Sequence, residues 1–228
     1  MKENLILILG SKPNSKIPNI EVNKIYSANA AAERARFYRI KYPKTSLCSV
    51  VSKKEFKKKN IYHYILTSKP DELFIRNDLY NKIYSDTGIK NLDNMSVKEQ
   101  WHFQKKFFRF GILSLIWAEI NYSRDNFLET IKYFYRTIRF GHFLGVSTGF
   151  FCILLALEKH KNFNIVVAGI GIEAGKHFYD SDNNHNYRYK IDKILFKHLK
   201  PEYRKNLISC DDFLSHHIKV ENFKGNFL

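Results

Sequence analysis

Cysteine is scarce in this chain, with three among 228 residues. Cys48, Cys152 and Cys210 form no CxxC pair and show no spacing of a secreted disulfide framework. Each falls in or beside an apolar run, so the expectation is three reduced core thiols and a cytosolic compartment. Acidic residues are also in short supply: 22 against 38 lysines and arginines, for a formal net charge of +16. A balance this basic favours a polyanionic partner, whether nucleic acid, an anionic membrane face or phosphorylated glycolipid. Long hydrophobic runs are missing too. The first, LILIL at 5–9, is too short for a signal peptide, so secretion is not expected. Residues 140–157 lack Asp, Glu, Lys and Arg. They hold His142, three glycines, Ser147 and Thr148 mostly in their first half, which reads as a loop followed by a buried helix rather than a membrane span. No H-E-x-x-H zinc motif and no P-loop is present.

What is there fits one packed domain spanning 1–228. Apolar residues make up 44% and aromatics 15% of the chain, which suits a folded α/β unit and not a disordered one. The run at 5–9 reads as a buried parallel strand ending at Gly10. Residues 24–27 read as a second strand ending near Asn29, and 30–41 as a helix stopped by Pro43. Residues 46–51 and 62–67 read as third and fourth strands. The stretch 53–59 (KKEFKKK) between them is a solvated basic face or a polyanion contact. Residues 97–144 are expected to be a mostly helical middle insertion. Its Phe103, Phe107, Phe108 and Phe110 place it either in the core or on lipid, with Lys105, Lys106 and Arg109 at headgroups in the second case. A helix is expected from about 190 to 199 and a last strand at 207–210. This alternation predicts a Rossmann-like, mostly parallel sheet flanked by helices.

The most informative stretch is 139–179. A small polar turn, Gly145-Val-Ser147-Thr148-Gly149, opens the apolar helix at 150–157. A buried strand at 165–168 then runs into a glycine-rich turn, Gly169-Ile170-Gly171. Both turns fall where open α/β sheets bind ligands, beyond the carboxyl ends of strands and at helix N-termini. A phosphate-containing ligand is the leading expectation.

Several chemistries fit parts of this stretch. Gly169-x-Gly171-x-x-x-Gly175 is close to a dinucleotide fingerprint, but 176–189 is polar and shows no helical period. The G-x-S-x-G match at 145–149 would make Ser147 a hydrolase nucleophile, with Asp211 and His216 as loose partners. Asp180-x-Asp182 has the form by which many glycosyltransferases hold a divalent cation. His185, with His177 as competitor, suits proton abstraction from a hydroxyl near neutral pH. His216-His217 reads as surface.

Taken in chain order, these pieces resemble the bacterial sialyltransferases of glycosyltransferase family 42. ILILGSKPNS is similar to that family's first strand and G-N-G-P-S turn, with Gly10 and Pro13 matching and Ser11 standing where the family has a nucleotide-binding asparagine. Asn29 in Y-S-A-N matches the asparagine of R-C-N. Ser147-Thr148-Gly149 resembles the donor-contacting T-S-G, and Ala168-Gly169-Ile170 resembles S-G-I. Tyr179 lies where a tyrosine bonds the leaving phosphate, and His185, followed by Asp192, fits the general-base segment.

The resemblance implies an inverting, metal-independent transferase with a single GT-A-variant-like domain. It would use a CMP-activated ulosonic acid and no further cofactor, with His185 and Tyr179 catalytic. Gly10, Ser11, Asn29, Ser147, Thr148, Gly149, Gly169 and Ile170 would hold the donor. Gly171 replaces the family's aspartate, Glu173 a second tyrosine and Gly145 an arginine; Arg139 or His142 would have to compensate for that last loss. These changes fall on the sugar pocket, so sialic acid and Kdo (3-deoxy-manno-octulosonic acid) both stand as the transferred sugar. The implied acceptor is an anionic glycolipid or oligosaccharide of lipopolysaccharide or capsule. It would be reached from the cytoplasmic face through peripheral contact with anionic membrane, without nucleic acid, and a homo-oligomer is left open. The competing classes are a non-catalytic nucleic-acid binder, motivated by net charge and 53–59, and another α/β enzyme such as an NAD-dependent one or a serine hydrolase.

Overall fold

Strands that are apolar at every position have nowhere to sit but between two helical layers. In the computed structural model, which describes residues 4–76, 87–109, 131, 135, 146–172 and 188–228 (97 and 188–191 by backbone alone), they do so. The strands are β1 (Leu5–Leu9), β2 (Lys24–Ala28), β3 (Ser46–Ser52), β4 (Glu72–Arg76), β5 (Asn91–Met95), β6 (Asn164–Ala168), β7 (Leu207–Ser209) and β8 (Glu221–Asn222). They form one sheet in the order β5-β4-β3-β2-β1-β6-β7-β8, and every pair is parallel. The helices are α1 (Ala32–Lys41, after a 3-10 turn at Asn29–Ala31), α2 (Lys53–Phe56), α3 (Lys59–Ser68), α4 (Val97–Lys105), α5 (Thr148–Lys159), α6 (Arg188–His198), α7 (Pro201–Arg204) and α8 (Asp212–Ile218). This is the expected Rossmann-like α/β arrangement.

Strand alternation divides the apolar residues into two cores. Ile6, Ile8, Tyr26, Cys48, Val50, Phe74 and Val167 face α4, α5 and α6. Leu5, Leu7, Leu9, Ile25, Leu47 and Val166 face α1, while Val51, Leu73 and Ile75 face α2 and α3 on that same side. Helix α5 is apolar all round because it is buried all round. Its Phe150 stacks on Phe196 of α6 at 3.8 Å, and Phe151 meets Phe74 and Phe103 at 5.5 Å each. Each such side chain contributes roughly 1.5–3 kcal/mol by burial, so Phe150→Ala would cost about 3–5 kcal/mol.

Three expectations are corrected or resolved here. Residues 62–67 are not a strand but part of α3. Ile61, Ile65 and Ser68 are its buried positions, spaced four and three apart, so a helical period overrides the β-prone composition of YHYILT. The fourth strand lies just beyond, at 72–76. Phe103, Phe107 and Phe108 are core residues and do not face lipid, whereas residues 110–130 and most of 131–145 lie outside the described part. His217 is partly covered, its Nε2 3.1 Å from the Lys193 carbonyl; His216 is exposed as expected. The three cysteines are free and buried. Burial pushes the thiols of Cys48 and Cys210 up to about 12 and that of Cys152 well above its ordinary value. Among the described residues no helix is long and apolar enough to cross a membrane.

Candidate functional site

The sheet order reverses at β1, which has β2 on one side and β6 on the other. Chains leaving such a point part in opposite directions and leave a crevice beyond the strand ends. The first two loops at this crevice are stitched together: Gly10 N donates to Ala168 O at 2.8 Å and Lys12 N to Gly169 O at 3.0 Å. The approach is so close that only glycine fits at position 10, where a Cβ would stand 2.6 Å from the Gly169 carbonyl carbon. Gly169 has φ +73°, the left-handed region, and a Cβ there would lie 2.8 Å from Gly10 O. Asn29 follows β2, two residues past Ser27, which pairs with Leu9. It too is left-handed, at φ 51°, a conformation asparagine tolerates better than most residues.

The third element is the turn into α5. Ser147 is the N-cap, its Oγ accepting from Phe150 N at 3.2 Å. Three buried polar side chains hold this turn from behind. Arg76, at the end of β4, donates to Val146 O at 2.9 Å and to Thr148 Oγ1 at 3.3 Å, with its guanidinium 4.4 Å from the Phe151 ring centre. Gln104 accepts from Val146 N at 3.3 Å and Asp192 from Ser147 N at 3.0 Å. Gly149 lies under Ile170, whose Cδ1 also closes on Gly10. Thus Gly10, Ser11, Asn29, Ser147, Thr148, Gly149, Gly169 and Ile170 converge on one end of the sheet. Tyr179 and His185 lie outside the described residues, as do Arg139, His142, Gly145, Glu173, Gly175, His177, Asp180 and Asp182.

Ser147 does not have the conformation of a nucleophile elbow. Its φ of −58° and ψ of 164° are ordinary cap values, and among the described residues no histidine bonds its hydroxyl. Asp211, offered above as a hydrolase acid, serves elsewhere. It caps α8 by accepting from Leu214 N at 3.1 Å and pairs with Lys12 at 2.5 Å. Burial works to raise this carboxyl's pKa. The Lys12 ammonium and the Leu214 and Phe213 N–H groups outweigh it and hold the group below the usual carboxylate range.

On the far side of the Gly10–Gly169 contact is a cavity of about 250 Å³ lined by Lys12, Ser15, Lys16, Gly169, Asp211 and Phe213, among others. Arg34 of α1 fixes its wall by donating to Lys12 O at 2.8 Å and to Ser15 Oγ. Sequence reasoning missed Arg76, Gln104, Lys12 and Arg34. The usable signal is a charged residue closing a parallel strand, Arg76 at the end of β4, one element beyond the 62–67 segment expected as the fourth strand.

Two features fit a bound polar ligand. The Oδ1 of Asn29 is shielded from solvent and has no hydrogen-bond partner among the described residues, a costly state unless something else satisfies it. The backbone N–H groups of Thr148 and Gly149 occupy the first two positions of α5, where no intrahelical acceptor exists, and the helix dipole adds partial positive charge there. Among the described residues no group of three His, Cys, Asp or Glu side chains could hold a metal. No protein-family model matches the chain, and no curated protein or solved structure matches it.

Proposed function

We propose that this protein is a glycosyltransferase that moves a CMP-activated ulosonic acid, sialic acid or Kdo, onto a surface glycan. The observation that carries the reading is the convergence at the β1/β6 reversal. The loop after β1, the asparagine after β2, the S-T-G turn at a helix start and the G-I turn after β6 come together there, and each resembles a piece of the family 42 pattern. Such a crevice suits a single phosphate. Thr148, Gly149 and the start of α5 supply donors for its oxygens without a cation. Asn29 offers an acceptor for an exocyclic amine such as that of cytosine.

In this mechanism His185 takes the proton of the acceptor hydroxyl. The hydroxyl oxygen bonds to the anomeric carbon from the face opposite the phosphate. The bond from that carbon to the phosphate oxygen breaks, and its electron pair leaves on CMP, where Tyr179 donates a hydrogen bond. The proton passes from the imidazolium to solvent.

The test is a thermal-shift titration with CMP, with and without magnesium, against UDP and NAD. At a hundredfold excess over the dissociation constant, CMP should add about 2.7 kcal/mol, roughly 5–10 °C for a chain this size, regardless of magnesium. A shift from UDP plus magnesium or from NAD, with none from CMP, would overturn the reading. His185→Ala should keep the CMP shift and lower transfer from CMP-sialic acid or CMP-Kdo by about 10²–10⁴-fold; undiminished turnover would remove the base from that position.

A further inference from the structure

The helical layer formed by α1, α2 and α3 is strongly basic. Residues 32–71 carry eleven lysines and arginines against three acids. Those three acids are already engaged within the layer, Glu33 by Arg36 at 2.7 Å, Glu55 by Lys58 at 3.0 Å and Asp71 by Arg39 at 3.5 Å. Lys41, Lys44, Lys54, Lys57 and Lys59 are exposed. Two large apolar side chains stand on α1, in sequence beside Arg36, Arg39 and Lys41: Phe37 is 57% exposed and Ile40 72% exposed. They are three apart and so share one helical face. The Arg36 guanidinium lies 4.5 Å from the centre of the Phe37 ring.

We infer that this layer is a docking face for an anionic lipid bilayer. Phe37 and Ile40 enter the headgroup boundary, and the surrounding lysines meet lipid phosphates. The combination decides the partner. A membrane surface offers negative charge and, directly beneath it, an apolar phase, and stable peripheral attachment needs both signals. A polynucleotide satisfies the lysines and leaves Ile40 in water. A second copy of the chain brings the same positive charge and is repelled. The inference goes beyond the transferase reading and does not depend on it. Phe103, Phe107 and Phe108, the other aromatic cluster expected at lipid, are taken up by the core.

The experiment is co-sedimentation of the full chain with phosphatidylcholine vesicles, with and without phosphatidylglycerol, at low and high salt. The protein should sediment only with the anionic vesicles, less so as salt rises. Phe37→Ser/Ile40→Ser should weaken partitioning by about tenfold. Lys57→Glu/Lys59→Glu should weaken it by a similar factor and flatten the salt dependence. Equal binding to both vesicle types, absence of binding, or a serine variant that binds as well as wild type would overturn the proposal. So would retention on single-stranded DNA that the serine pair leaves unchanged while vesicles are ignored. The CMP titration on the same variants is the internal control: an unchanged thermal response shows that the fold and the crevice are intact, so loss of vesicle binding and loss of nucleotide binding are read separately.

Discussion

The two edges of the sheet use polar residues in opposite ways. At the amino edge they answer one another. Lys24 pairs with Glu72 across β3 at 2.5 Å, Lys159 with Asp93 at 3.6 Å, and the Tyr26 hydroxyl lies 3.0 Å from His160 Nε2. At the carboxyl edge, buried side chains are spent on holding backbone in place. Arg76, Gln104 and Asp192 grip the 146–148 turn, and Asn29 keeps an oxygen that has no partner among the described residues. Among the described residues the first edge pairs its polar side chains with one another, whereas the second is held by buried side chains and partly unsatisfied, which is how a preorganised binding surface differs from a structural one.

The contrast can be broken most forcefully at Gly10. Gly10→Ala drives a Cβ into the Gly169 carbonyl, which is backbone and cannot swing aside. It should cost about 3 kcal/mol of stability by urea denaturation and abolish the CMP response. At the amino edge Lys24→Met removes only one partner of a partly solvated pair, and about 1 kcal/mol or less is expected. Equal losses at the two sites would erase the distinction.

Arg76→Met comes next. It strips Val146 O and Thr148 Oγ1 of a buried charged donor, and about 2–3 kcal/mol should be lost, with CMP affinity falling because the turn is no longer held. A stable variant with unchanged affinity would show that α5 positions the turn unaided.

Asn29→Gly sharpens the comparison in the other direction. It deletes the orphan oxygen, whose burial costs about 1–3 kcal/mol, and this outweighs the roughly 0.5–1 kcal/mol of unfolded-state freedom that glycine adds, so the free protein should gain about 1 kcal/mol while binding of CMP weakens. A loss in both would make Asn29 purely structural.

The smallest effect belongs to the amino edge. Burial, with help from Lys24, lowers the His160 pKa, and Glu72 only partly opposes this. The folded state therefore holds fewer protons than the unfolded one. Stability should rise with pH through the window just below the ordinary histidine value and fall as pH drops through it. His160→Gln should flatten that slope in denaturation midpoints taken across the window; an unchanged slope would assign it to other groups.

Much of the carboxyl edge could be read from the chain because it is built from short, local signals. LILIL followed by glycine, S-T-G before an unbroken apolar run, and NIVVAG each announce a strand or helix end without tertiary context. What could not be read depends on position in space. Arg76 gains its role only when β4 lies two strands from β2 and α5 packs over it. Nothing in ELFIR marks the arginine as the buried one, and Glu72 of the same strand faces Lys24 instead. The YHYILT segment misled for a related reason. Its β-prone composition was outweighed by the depth of the α2–α3 core, into which Ile61 and Ile65 fit one turn apart. Asp211 reads as a catalytic acid only until Lys12 arrives from the other end of the chain.

The central place of β1 also has a temporal meaning. Its ladder with β2 involves neighbours in sequence, but its other edge is sealed by β6, with Leu9 opposite Ala168. On a ribosome adding about 5–20 residues per second, that partner emerges roughly 10–30 s later. Throughout this interval the most apolar strand of the protein presents an open row of backbone donors and acceptors to the cell. Keeping nascent chains apart during those seconds is a task that falls outside the fold, and the basic α1–α3 layer, made first and strongly self-repelling, is already in place to help with it.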